Sequence, residues 1–263
     1  MSKYTNPDFP LLVLVVTLLA GALPVQAAED EDWEYDILTL PSSTVSIGGI
    51  FVEDDNTRFG QYRGLTDDGV YGALEFDINR RDEETGTWIL LDGRNLGLDS
   101  RELRFEHQEQ GDWRYYLEYD ETPSADPYTA NTGLSGIGTN NLNFTAPLRN
   151  VELETKRKAI TLGGRKELSG GWAFETRFRN EEKDGERLFG RGEFVAFDFL
   201  AEPIDSTTRQ GEAILSYTGK ALQLAIGYYG THYDNDDTAL NITGGSLADF
   251  AVALPPDNQS HSG

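Results

Sequence analysis

The chain has 263 residues, no cysteine, and 45 acidic against 22 basic side chains, for a formal net charge of -23. Such acidity argues against nucleic acid or anionic membrane surfaces as partners, because phosphate binding needs a basic patch. Without cysteine there can be no disulfide framework, Cys-based zinc site or Cys-x-x-Cys-His haem attachment.

Only 38% of residues are hydrophobic, yet the chain carries 12 Tyr, 13 Phe, 4 Trp and 28 Gly, a mixture that suits many short strands better than helices. The one long apolar run is Leu11 to Leu23. It is too short for a spanning helix, which needs roughly 20 residues. Val25-Gln26-Ala27 follows, with small residues where a signal peptidase reads. Residues 1–27 are therefore predicted to be a signal peptide and 28–43 an acidic periplasmic segment. The competing reading is a buried N-terminal helix, since Lys3 is the only basic residue before the run and Asp8 opposes it.

From 44 to 263 apolar residues recur with period two, the signature of pleated strands with one apolar and one polar face. Val70, Gly72, Leu74, Phe76 and Ile78 alternate with Tyr71, Ala73, Glu75 and Asp77. Leu103 and Phe105 lie between Glu102, Arg104 and Glu106, and Trp113, Tyr115, Leu117 and Tyr119 between Arg114, Tyr116, Glu118 and Asp120. Trp172, Phe174 and Phe178 are interleaved with Glu175, Arg177 and Arg179, and Leu222, Leu224, Ile226 and Tyr228 with small or polar residues. Nine strands are predicted, near 44–54, 68–78, 87–94, 100–109, 112–121, 151–167, 171–182, 209–218 and 221–232. The first and third cannot be oriented by pattern, because Ile50 and Val52 fall on the opposite face from Ile47 and Phe51.

Tight glycine-bearing turns at Gln110-Gly111, Ser169-Gly170-Gly171 and Thr218-Gly219-Lys220 follow the fourth, sixth and eighth strands. The polar connections at 122–150, 183–208 and after 232 follow odd strands. Short turns at one end and long loops at the other mark a transmembrane barrel with periplasmic turns and extracellular loops. The expected fold is thus all-β, an antiparallel outer-membrane β-barrel, with a soluble sandwich or lipocalin-like barrel as the competing architecture. Nine strands and a polar ending, Pro255 to Gly263, describe part of a barrel, since closure takes an even number.

No catalytic, cofactor-binding or metal-binding residue can be assigned. His107, His232 and His261 lack metal-ligand spacing, and no phosphate-binding glycine loop is present. Glu102, Glu106, Glu118 and Asp120 could supply a glycosidase pair, but they read better as a hydrated wall laced with Arg104 and Arg114. Glu53 to Asn56 and Asp234 to Asp237 could hold calcium, although they lack its loop spacing and read as solvated acid.

Two segments stand out from generic loops: Phe59-Gly60-Gln61-Tyr62-Arg63-Gly64-Leu65 and Ala253-Leu254-Pro255-Pro256-Asp257-Asn258-Gln259-Ser260-His261. On these the chain resembles the MtrB/PioB family, outer-membrane β-barrels associated with decahaem cytochromes, from about residue 42 onward. The resemblance implies a barrel in the bacterial outer membrane that sheathes a periplasmic multihaem c-type cytochrome. An extracellular multihaem cytochrome is a possible second partner, and the haems belong to the partners. It implies no enzyme activity and no catalytic residue to carry over. The Cys-x-x-Cys pair that some members carry near the mature N-terminus is missing. A general porin or solute channel is the alternative function, and an outer-membrane hydrolase a weaker one. Contacts to a partner are expected on inward-facing charges of the second, fourth, fifth and seventh strands.

Overall fold

The computed structural model describes residues 18–19, 42–55, 57–189, 200–244, 250–254 and 259–262. Apart from Leu18–Leu19 and residues 42–43, the predicted leader and acidic segment lie outside the described residues. The Pro255-Pro256-Asp257-Asn258 stretch lies outside them as well.

All nine predicted strands are present: β2 (Thr44–Val52), β3 (Gly69–Asp82), β4 (Thr87–Leu96), β5 (Glu102–Glu109), β6 (Trp113–Ala125), β9 (Glu154–Glu167), β10 (Trp172–Phe189), β11 (Leu200–Thr218) and β12 (Gln223–Asn235). They pair antiparallel in chain order. A two-residue strand, β1 (Leu18–Leu19), joins β2 at one edge, and β15 (Gln259–Ser262) joins β12 at the other. A one-turn helix, α1 (Thr57–Gly60), follows β2. Among the described residues the sheet does not close, and β12 has a neighbour on its outer edge only over Gly230–Tyr233.

The register sorts the side chains into two faces. On one, Ile78, Leu91, Phe105, Leu117, Leu162 and Phe178 are successive cross-strand partners. Leu117, Leu162 and Phe178 stay 44%, 53% and 49% exposed. A row of uncovered aliphatic and aromatic side chains is stable where lipid replaces water. At the turn end of this face Trp113 stacks on Tyr115 at 5.3 Å and Trp172 lies 5.0 Å from Tyr217. These pairs form an interfacial aromatic girdle, with apolar rings toward lipid and polar tips toward headgroups. Beyond Leu103, Tyr119 and Ile160 the same face turns charged at Arg101, Glu121, Lys158 and Lys156, which marks the outer limit of the membrane-spanning segments.

The two strands that pattern could not orient are resolved by packing. In β2, Val45, Ile47 and Phe51 face outward opposite Phe76, Leu74 and Val70. Ile50 and Val52 turn inward, where Leu65, Leu98 and Tyr71 cover them. In β4, Ile89 and Leu91 face outward, while Trp88 points inward beneath the Arg81 guanidinium, 5.3 Å from its ring.

One loop expectation is corrected, and one link departs from the alternation. The link from β4 to β5 is short although it sits at the long-loop end. The connections read as polar loops are largely folded: β10 runs to Phe189 and β11 starts at Leu200, carrying that hairpin well past the apolar belt. The other two connections hold β7 (Ala130–Ser135), β8 (Asn141–Val151), β13 (Ala239–Thr243) and β14 (Phe250–Ala253), which form a separate four-stranded sheet. Its centre is a parallel pairing of β8 with β13, Asn141 to Asn143 against Asn241 to Thr243. Leu134, Leu142, Leu240, Ile242 and Leu254 make its core, all less than 7% exposed. Burying each such side chain is worth roughly 1.5–3 kcal/mol.

Candidate functional site: the lumen wall and its outer rim

The face opposite the apolar belt carries a polar row across the sheet. Asp77, Asp92, Arg104, Glu118, Thr161, Arg179, Gln210 and Thr231 are consecutive cross-strand partners along it. In a barrel this face lines the lumen. Arg104 is held between Glu118 and Glu106, the latter 2.6 Å away, and lies 4.9 Å above the Tyr116 ring. Arg179 bonds both oxygens of Asp120 at 3.1 and 3.3 Å, with Glu181 at 3.1 Å and the Thr161 hydroxyl at 3.2 Å. Arg165 pairs with Glu167 at 2.7 Å and Glu175 at 3.3 Å. In a wet lumen such pairs add little stability, about 0–1 kcal/mol each. Their effect is to lock long side chains into a fixed, largely self-neutralised surface.

Tyr116 is positioned by its neighbour across the ladder. Its ring lies directly over Gly163, so close that any Cβ there would collide with it. Phe76 covers Gly93 in the same way on the other face. Two grooves open on the wall. One of about 340 Å³ near the tight turns is lined by Gln108, Trp113, Arg114, Arg165 and Glu167. One of about 370 Å³ near the loop end is lined by Asp92, Arg94, Glu102, Arg104, Glu118 and Asp120.

The FGQYRGL segment sits at the loop end, where it ties three connections together. Gly64 and Arg63 donate their amides to the Gly60 carbonyl at 3.0 and 2.9 Å. That turn brings Gly60 against the Leu65 backbone, leaving no room for a side chain. Leu65 is then driven into the Val52–Leu98 cluster. The Ala125 amide donates to the Gln61 carbonyl at 3.0 Å, and Arg58 donates to the Tyr128 hydroxyl at 3.2 Å. The motif is therefore a structural knot at the rim.

Beside it, just beyond the apolar belt, Lys156 contacts Asp99 at 3.0 Å and Glu121 at 2.8 Å, and Arg101 lies 3.4 Å from Glu121. Burial alone would raise the Glu121 carboxyl, but hydrogen bonds from Lys156 and Tyr119 and the two cationic charges hold it below its ordinary value. Asp205, on the extracellular extension of β11, shifts the other way: burial first, then Asp236, Asp237, Asp184 and Glu182, raise it. In the Asp234 to Asp237 segment Asp234 is paired with Arg209 at 2.8 Å and His232 at 3.0 Å. No group of three metal-ligating side chains occurs among the described residues.

The wall residues expected from alternation, Glu75, Asp77, Glu102, Arg104, Glu106, Arg114, Glu118 and Asp120, all fall on this one face. The glycosidase alternative gains nothing, since Glu118 and Glu106 are both engaged by Arg104. Sequence reasoning missed the ion-pair partners Arg157, Arg165 and Glu181, which alternate in β9 and β10 with the same period. It also missed the loop sheet, whose apolar residues are spread over two connections.

An exposed apolar belt, an aromatic girdle, a charged inner face and short turns at one end define an outer-membrane β-barrel. Residues 51–262 match the MtrB/PioB outer membrane beta-barrel porin family, and the chain belongs to that family. It is similar to the outer membrane protein MtrB of Shewanella baltica (strain OS185), at 29% identity over 246 residues. That match covers 85% of this chain and 35% of the relative, so the chain spans about a third of the relative's length. The protein is accordingly placed in the outer membrane, in a porin-like family and not a known enzyme family.

Proposed function

We propose that this chain supplies barrel wall that sheathes a periplasmic multihaem c-type cytochrome and so supports electron transfer across the outer membrane, without catalysing a reaction itself. The observation that carries the reading is the lumen face: four adjacent strands, β5, β6, β9 and β10, present ion-paired arginines and carboxylates. Such a surface suits the hydrated exterior of a soluble protein, while the belt outside insulates it from lipid. The haem belongs to the partner, because a chain without cysteine cannot form thioether links to it. An extracellular multihaem cytochrome would meet the loop end. Residues 1–27 act as the export signal and 28–43 remain as an acidic periplasmic segment in this reading.

The test is detergent extraction of outer membranes containing the full-length protein, then native separation and haem staining. A haem-positive band that co-migrates with the barrel is the expected result. A haem-free barrel from cells making multihaem cytochromes would overturn it. The two grooves on the wall favour the second reading, a solute channel. Open conductance of the partner-free barrel in planar bilayers would support that reading.

A further inference from the structure

Around Tyr116 the wall departs from its charge balance. Arg104 and Arg114 both lie over the Tyr116 ring, at 4.9 and 6.0 Å. Gly163 beneath that ring pairs on its far side with Arg177 of β10. Three guanidinium-bearing positions thus surround one aromatic ring on one face. Only Arg104 is neutralised. Among the described residues neither Arg114 nor Arg177 has an ion-pair partner. Arg114 faces Arg165 directly across the β6–β9 ladder, and Glu167 and Glu175 are already taken by Arg165. Arg114 opens onto the 340 Å³ groove at the turn end, and Arg177 lines a small hollow with Gln210 and Glu212.

Two guanidiniums without an ion pair are unusual inside a chain of net charge -23, the more so because Glu212 stands across the ladder from Arg177 without forming an ion pair with it. A planar guanidinium matches a carboxylate in a bidentate fork, and stacking on Tyr116 holds Arg114 while leaving its donors free. We infer that Arg114 and Arg177 form a carboxylate-binding patch in the periplasmic half of the lumen. Its ligands are carboxylates on the surface of the sheathed protein, an assignment of source that rests on the conduit reading. Free small carboxylates crossing the lumen are the other source of the same chemistry.

Full-length protein carrying Arg114→Gln and Arg177→Gln separates these cases, with barrel folding checked by the heat-dependent shift in gel migration. Should the pair fail to fold, Arg177→Gln alone, which breaks no ion pair, takes its place. Loss of a close charged pair at an interface weakens binding roughly tenfold or more, so haem-protein co-isolation should fail at salt that the wild type withstands. Equal co-isolation of both proteins at every salt would overturn the patch and leave the conduit standing. If the wild type itself captures no haem protein, reversal potentials in a potassium acetate gradient decide. Reduced acetate permeability in the variant then supports the patch with free carboxylates as ligand, and unchanged permeability overturns it.

Discussion

The barrel sheet and the extracellular loop sheet are built from the same period-two alternation, and they turn it in opposite directions. In the barrel Leu117, Leu162 and Phe178 point out and remain about half exposed, while Arg104, Arg179 and their acids point in. In the loop sheet Leu134, Leu142 and Leu240 are essentially fully buried, and Asn141, Asn143 and Asn241 bond one another or Thr243 at its margin. The difference lies in what surrounds each sheet. Lipid covers the first, so its apolar side needs no protein partner, whereas water surrounds the second and forces its apolar side chains together.

That contrast can be broken at either end. The largest effect is expected from Leu240→Ala, which removes a fully buried side chain and should cost the loop sheet about 2–5 kcal/mol. Limited proteolysis on intact cells should then cut 126–153 while the barrel keeps its gel migration; joint loss of both would show that the sheets are one cooperative unit. Leu162→Arg, in mid-belt, should destabilise the barrel by about 2–4 kcal/mol in lipid-vesicle urea titrations, whereas Gln210→Arg on the inner face of β11, two strands away, should change little. Equal costs at the two sites would refute the assignment of faces.

Gly163→Ala should cost about 1–3 kcal/mol, since the new methyl must push the Tyr116 ring away, and pairing it with Tyr116→Ala should recover most of that loss. Additive losses in this double-mutant cycle would mean that the ring does not rest on Gly163. The smallest effect is electrostatic. Glu121 titrates below its ordinary value, so its contribution is complete above that value and fades as pH falls through the lowered one. Asp205 titrates above its ordinary value, so it destabilises once ionised, and mild acid should relieve it. Hydrogen exchange at the rim should therefore slow near Asp205 in mild acid and quicken near Glu121 only in stronger acid; the reverse order would contradict both shifts.

Much of the barrel was legible in the sequence because a pleat writes its period directly into residue order. Trp113 to Asp120 could be split into faces without any knowledge of its neighbours. β2 and β4 could not, because Ile50, Val52, Trp88 and Leu90 are apolar residues turned inward under local cover from Leu65, Leu98 and Arg81. Nothing in residue order announces such cover. The loop sheet was illegible for a stronger reason: its core joins Leu142 to Ile242 and Leu134 to Leu240, residues from two separate connections. Of the lumen wall, alternation revealed which charges face inward but not which are paired, since pairing depends on register between strands.

The parallel joint between Asn141–Asn143 and Asn241–Thr243 also sets an order of events. Its two halves are separated in the chain by β9, β10, β11 and β12, all of which cross the membrane region before the second half appears on the same side. Contacts that close so long a loop form late. The outer surface must therefore stay unlatched throughout insertion, and the seam between the two connections serves as a fastening that only a completed run of strands can close.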